Sequence, residues 1–146
     1  MITLRPITHK DIEKLDGSSY ADMTSSKKAE MITASEKENY GGKFFKFLLV
    51  EADGETVGFI NILGHSKSVV SIAPEIKVNF RKKGYAKQAK LKAIEYVKSL
   101  GYKIEYAGIR EENVASIRLH ESLGFEYVQD FYSSRGNKLK LYIKIL

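Results

Sequence analysis

The sequence contains no cysteine among its 146 residues. That excludes a disulfide framework, a thiolate nucleophile and any cysteine-ligated zinc or iron–sulfur centre. Only 2 prolines occur, and 43% of residues are hydrophobic against 29% charged, which argues against a chain disordered as a whole. No stretch approaches the length of uncharged apolar sequence that a transmembrane helix needs. The longest apolar cluster, FFKFLLV at residues 44–50, is strand-sized. The opening MITLRPITHKDIEKL lacks the basic stretch and long apolar run of a secretory leader. A cytoplasmic chain with no membrane partner is therefore expected. His, Asp and Glu do not cluster at metal-ligand spacing, so no metal is expected. Neither a repeat nor a low-complexity linker interrupts the chain, and its length suits one domain over residues 1–146.

What is present in excess is positive charge, 24 basic against 18 acidic residues. It is uneven. Residues 81–98 carry seven Lys or Arg against the single acid Glu95, and Arg135, Lys138, Lys140 and Lys144 form a second basic group near the end. Such a face is either solvated or turned to an anionic partner: a phosphorylated cofactor, an acidic substrate or nucleic acid.

Hydrophobic periodicity separates the chain into strands and helices. Ile2–Arg5 reads as a strand ended by Pro6, and Thr8 with Asp11 reads as a helix start before DIEKL. Residues 16–43 predict one or two short helices with a mobile join. KFLLVEA and TVGFINIL flank Asp53-Gly54, the sequence of a type I′ hairpin. A third run extends from Val69 to Val78, and Pro74 within it predicts a bulge or a locally unpaired edge. From Gly84 to Leu100 the period becomes 3.6, with Ala86, Ala89, Ala93, Tyr96, Val97 and Leu100 as the buried stripe. Strand Ile104–Ile109, a helix capped by Asn113 and ended by Gly124, and strands Phe125–Tyr132 and Leu139–Ile145 complete an α/β unit.

One segment carries chemistry. In Val78-Asn79-Phe80-Arg81-Lys82-Lys83-Gly84-Tyr85-Ala86 a strand ends, a basic turn follows and a helix begins. Free N–H groups and the helix dipole at such a start bind anions. Gly84 removes the Cβ that would hold a phosphate off the backbone. The Gly-Lys-Ser/Thr ending of a P-loop is absent, as is the first glycine of a dinucleotide fingerprint.

The order of elements around this turn resembles the GNAT superfamily of acyl-CoA-dependent N-acyltransferases. That family's phosphate turn, Arg/Gln-x-x-Gly-x-Gly/Ala, is matched by residues 81–86. Its Asn-x-x-Ser/Ala helix running into Leu-Gly-Phe is matched by Asn113, Ser116 and Leu123-Gly124-Phe125. The resemblance is detailed over residues 69–131 and looser over 1–63. It implies a single α/β domain, in which a central, mostly antiparallel sheet of about six to seven strands splays in the middle between flanking helices. It also implies acetyl-CoA as co-substrate and a small-molecule or peptide amine as acceptor. By the resemblance, Ile76, Lys77 and Val78 would offer backbone groups to the pantetheine arm. The turn Arg81, Lys82, Lys83, Gly84, Tyr85, Ala86 and Lys87 would hold the pyrophosphate, and Asn113 and Ser116 would line the pantetheine side.

The family commonly places a Tyr, as general acid toward the leaving thiolate, where this chain has His120. Asn113, Ser116 and His120 fall on one helix face, so His120 is a candidate acid or a cleft-shaping ring. Glu75 is the candidate base, with Glu51 or a water wire as further options; His9 and His65 are assigned no role. Two rivals stand beside the acetyltransferase. A nucleic-acid-binding domain would use the 81–98 face, but an aromatic-interleaved strand and helix-turn-helix spacing are both missing, so nucleic acid is not expected. A non-catalytic acyl-CoA sensor of the same fold would explain the missing Tyr. The acceptor amine and the oligomeric state, a homodimer among the options, stay open.

Overall fold

The computed structural model describes residues 1–146. Seven strands form one sheet in the order β1-β2-β3-β4-β5-β7-β6. They are β1 (Ile2–Pro6), β2 (Phe45–Ala52), β3 (Glu55–Gly64), β4 (Val69–Ile76), β5 (Ile104–Ile109), β6 (Glu126–Tyr132) and β7 (Lys138–Ile145). Every neighbouring pair is antiparallel except β4 and β5. Those two run parallel and stay in register only at Val69↔Ile104 and Val70↔Glu105. Beyond that point they diverge, which is the splay expected of the resemblance.

Helices α2 (Tyr85–Ser99) and α3 (Val114–Ser122) cover one face of the sheet, where Leu48, Ile60, Val70, Ile72, Ala89 and Ala93 share a core. The alanines let α2 lie close to the strands, and they are fully buried. Helix α1 (Ser25–Lys37) and a 3-10 turn, His9–Leu15, cover the other face over Phe45, Phe47, Leu49 and Phe59. Strand β2 is thus buried from both sides, which is why it reads as a continuous apolar run.

The hairpin at Asp53-Gly54 forms as expected, with φ of 51° and 79° at the two central residues. Residues 16–43 hold a single helix, capped by the Thr24 side chain and ended by Glu38 in the left-handed region. Two expectations are corrected. The third run stops at Ile76, and Val78 belongs to a single 3-10 turn, Val78–Phe80. Leu100, placed on the buried stripe of α2, is 47% exposed, whereas Lys90 on that stripe is fully buried. Pro74 makes no bulge: β3 and β4 keep register throughout, and the unpaired edge is the side facing the splay.

Candidate functional site

Hydrogen-bond parity along β4 decides what the splay exposes. In an antiparallel ladder, alternate residue pairs exchange N–H···O bonds and the others point theirs away. The Lys77 N–H donates to Val57 O at 2.8 Å and the His65 N–H to Val69 O at 2.8 Å. Odd-numbered residues of β4 therefore bond to β3, and Ile72, Pro74 and Ile76 turn their backbone groups toward the splay. The Ile72 carbonyl accepts from Lys90 Nζ at 2.6 Å and the Ile76 carbonyl from Arg81 Nε at 2.9 Å. Pro74 has no N–H. What remains free is the Ile76 N–H and the Pro74 carbonyl, one donor and one acceptor on an open strand edge. Lys77 and Val78 are thereby removed from the expected backbone contacts: the N–H of Lys77 is spent on β3, and Val78 lies past the strand.

The turn after β4 folds into a concavity because two of its residues are left-handed, Lys82 at φ 64° and Gly84 at φ 79°. Gly84 is the N-cap of α2, and no side chain caps this helix. Its first amide bond runs from the Gln88 N–H to Gly84 O at 3.2 Å. The N–H groups of Tyr85, Ala86 and Lys87 therefore emerge unpaired at the helix start. A cavity of about 360 Å³ joins them to Pro74 and Ile76 on one side and to Asn113 and Ser116 on the other. Arg81, Lys82 and Lys87 also line it. Lys83 does not; its ammonium sits 5.8 Å from the centre of the Phe80 ring. Asn113 caps α3 by accepting from the Ser116 N–H at 3.2 Å, which leaves its amide NH₂ for the cavity.

A second cavity, about 450 Å³, continues through the splay and shares Pro74 and Ser116 with the first. Its α2–α3 side holds His120. Its other side opens on the α1 face, between Ser71 and Ala73 of β4 and Tyr106, Phe131 and Leu139 across the gap. The notch therefore has two mouths, one on each face of the sheet. A larger groove, about 660 Å³, runs between α2 and the β1–β2 edge. It offers apolar walls and no free helix start.

His120 is 3% exposed and packs edge-on against Phe125 at 4.8 Å. Its Nδ1 lies 2.7 Å from Ser116 O. A carbonyl only accepts, so the ring proton sits on Nδ1 and Nε2 is left bare, buried and without a partner. Burial, followed by the nearby Lys90 charge, pushes the imidazole pKa down to about 4. A ring so held has no proton on Nε2 at neutral pH, and the acid role expected from the sequence has no donor in this state. The depressed pKa also sets a pH dependence. Between the ordinary value of 6.5 and about 4, the unfolded chain binds the proton that the folded chain refuses. Stability is then lost as pH falls through that window, by about 3 kcal/mol at most. Chemical unfolding at pH 7 and pH 4 should show His120→Phe keeping that part of its stability while the parent loses it. Equal losses would remove His120 from the acid side.

Glu75 lies on the α1 face, opposite Phe59, and lines neither cavity. Its carboxylate accepts from the Ser19 N–H at 2.8 Å and from the Ser19 hydroxyl. This clasp holds the segment before α1 over the sheet, where the Tyr20 ring meets Phe47 edge-on at 5.0 Å. Glu51 is engaged elsewhere, with Arg5 at 3.1 Å. Lys90 and Glu105, which no sequence motif marks, form a fully buried ion pair at the closed end of the splay. Burial pushes the Lys90 pKa down and the Glu105 pKa up, each opposed by the other's charge. The signal for Lys90 was its helical spacing, four residues after Ala86 and three before Ala93.

No group of three His, Cys, Asp or Glu is placed to hold a metal ion, and no helix is long and apolar enough to cross a membrane. Among solved structures, the fold matches a ribosomal-protein-alanine N-acetyltransferase from Brucella melitensis with a TM-score of 0.80, over 99% of each chain at 21% identity. It matches a GNAT family acetyltransferase from Elizabethkingia anophelis with acetyl-CoA bound at 0.74, over 99% of this chain and 98% of that one at 16% identity. A spermidine/spermine N-acetyltransferase from Vibrio cholerae, in mutant form, matches at 0.77, over 99% and 95% at 16% identity. No curated protein matches the sequence. These identities establish the fold alone; the sequence itself, over residues 2–126, matches the family model described as the acetyltransferase (GNAT) domain. With the splayed sheet, the open β4 edge and the uncapped α2 start in place, the chain belongs to the GNAT acetyltransferase family.

Proposed function

We propose that this protein is an acetyl-CoA-dependent N-acetyltransferase, in which a primary amine attacks the thioester directly. The observation that carries the reading is the continuity of one open strand edge with one uncapped helix start. The Ile76 N–H and Pro74 carbonyl can pair with an amide of a pantetheine arm as a neighbouring strand would. The Tyr85, Ala86 and Lys87 amides, with Arg81 and Lys82, fit a pyrophosphate. Gly84 fits it too, since it presents no Cβ to the phosphates.

The chemistry asks for little more than placement. A thiol with pKa near 8.5 leaves readily as thiolate, which suits a site whose histidine holds no spare proton. The His120 ring forms part of the wall of the notch, with its bare Nε2 buried in that wall. The Ile76 N–H is the donor for charge developing on the thioester oxygen. Glu75, with its carboxylate clasped by Ser19, is assigned to holding the acceptor-side segment, and the amine proton leaves to solvent.

The test has two stages. Acetyl-CoA at about 100 times its Kd adds about 2.7 kcal/mol, so the melting temperature should rise by roughly 5–10 °C. A panel of primary amines, from amino-terminal peptides to polyamines, should then release free thiol from acetyl-CoA. No shift at millimolar acetyl-CoA sinks the reading. A shift without turnover on any amine moves the protein to the non-catalytic sensor.

A further inference from the structure

The ion pair between Lys90 and Glu105 plays no part in the transfer as proposed, and stability does not account for it. Replacing a buried pair by apolar residues of similar size is often neutral or stabilising. Its position is what distinguishes it. Register between β4 and β5 ends at Val70↔Glu105. Ile72 is the next residue of β4 to face the gap, and the first with no partner strand there. Its carbonyl takes the Lys90 ammonium at 2.6 Å. Glu105, the last residue of β5 in register, pairs through its carboxylate with that ammonium. Lys90 comes from the second turn of α2, and both side chains are fully buried. The ammonium thus supplies the donor that β5 would have supplied had pairing continued, and the carboxylate holds the ammonium in place.

We infer that Lys90 and Glu105 are positioning residues, Lys90 occupying the Ile72 carbonyl and Glu105 holding Lys90 there, and that they keep β5 from closing onto β4 and so hold open the notch between the two cavities. Two residues on, Pro74 offers no N–H, so β5 finds no donor there. The two features act in sequence along one edge, and α2 carries both the ammonium and the amides of the phosphate turn. This inference rests on reading the notch as the acetyl-CoA site.

The test pairs two double variants of the full chain. Lys90→Met with Glu105→Leu removes the donor and acceptor but keeps apolar volume. It should melt at or above the parent temperature, bind acetyl-CoA about tenfold more weakly by calorimetry, and slow amide exchange at Gly108, the next β5 residue to face Ile72, as β5 closes. Lys90→Gln with Glu105→Gln keeps a donor and an acceptor without charge, and should bind within about threefold of the parent. Parent-like affinity and exchange in the apolar variant overturn the inference. So does tenfold weaker binding in the Gln pair, which also decides the matter should the apolar variant fail to fold. If the parent itself does not bind acetyl-CoA, the functional reading falls, while the exchange comparison still decides whether the pair holds the strands apart.

Discussion

Gly84→Glu should abolish detectable acetyl-CoA binding in a protein that still folds. The residue is the N-cap of α2 at φ 79°, and only Gln88, at 3.9 Å, comes near a Cβ built there. Space is therefore not the obstacle to folding. A left-handed non-glycine residue costs about 1–3 kcal/mol, and the chain already carries Lys82 at φ 64° two residues earlier. The obstacle is to the ligand. The new carboxylate stands at the helix amides proposed to hold the pyrophosphate. Like charges about 4 Å apart near a protein surface repel by about 4 kcal/mol, enough for a loss of about a thousandfold. Gly84→Asn is the control. Asn tolerates the left-handed region and brings no charge, so it should lose far less affinity. Calorimetric titration of both variants, beside their melting curves, separates the ligand effect from the fold. Normal binding by Gly84→Glu would place the phosphate site elsewhere.

Ile76→Pro should lower turnover by about 10²–10³, the loss typical of removing one oxyanion donor. The Ile76 N–H points away from β3, as the Lys77 N–H to Val57 bond requires, so the substitution breaks no ladder bond. Pro74, at the same parity on the same edge, shows that the strand accepts proline there. The Ile76 carbonyl, which holds Arg81 Nε at 2.9 Å, is retained. Ile76 is 7% exposed and packs over Gly58, so some stability is lost with the side chain. Ile76→Ala measures that part alone, since it keeps the N–H. Steady-state kinetics should place Ile76→Ala within a few-fold of the parent and Ile76→Pro far below it. Equal activities would show that this amide does not meet the reacting thioester.

Much of the site was legible because its determinants are local. A basic turn with a glycine before a 3.6-period stripe specifies an uncapped helix start within ten residues, and Asn113 three residues before Ser116 specifies a cap. What was not legible depends on partners far along the chain. Whether Lys77 faces the ligand or β3 is settled by Val57, twenty positions earlier. The strand's end at Ile76 and the turn at Val78 follow from the same ladder. Lys90 reads as one more charge of a solvated basic face until Glu105 arrives from β5 to accompany it into the interior. The spacing of Ser116 and His120 was visible, but the tautomer was not: it is fixed by a backbone carbonyl one helical turn back. Glu75 was read onto the strand that became β4 and toward the cleft, but it lines neither cavity, and its clasp by Ser19 comes from the segment that composition describes least.

The notch described above opens at both faces of the sheet, with the phosphate turn at one mouth and Ser71, Tyr106 and Phe131 at the other. Two molecules can then occupy it at once, each by its own entrance, and meet at Pro74 and Ser116. Such an arrangement has no need of a covalent way-station on the protein, and with no cysteine in the chain the most reactive candidate for one is missing. The kinetic signature of this geometry is a ternary complex. Varying one substrate at several fixed levels of the other gives intersecting rather than parallel reciprocal lines, and no thiol product is released until the amine has arrived.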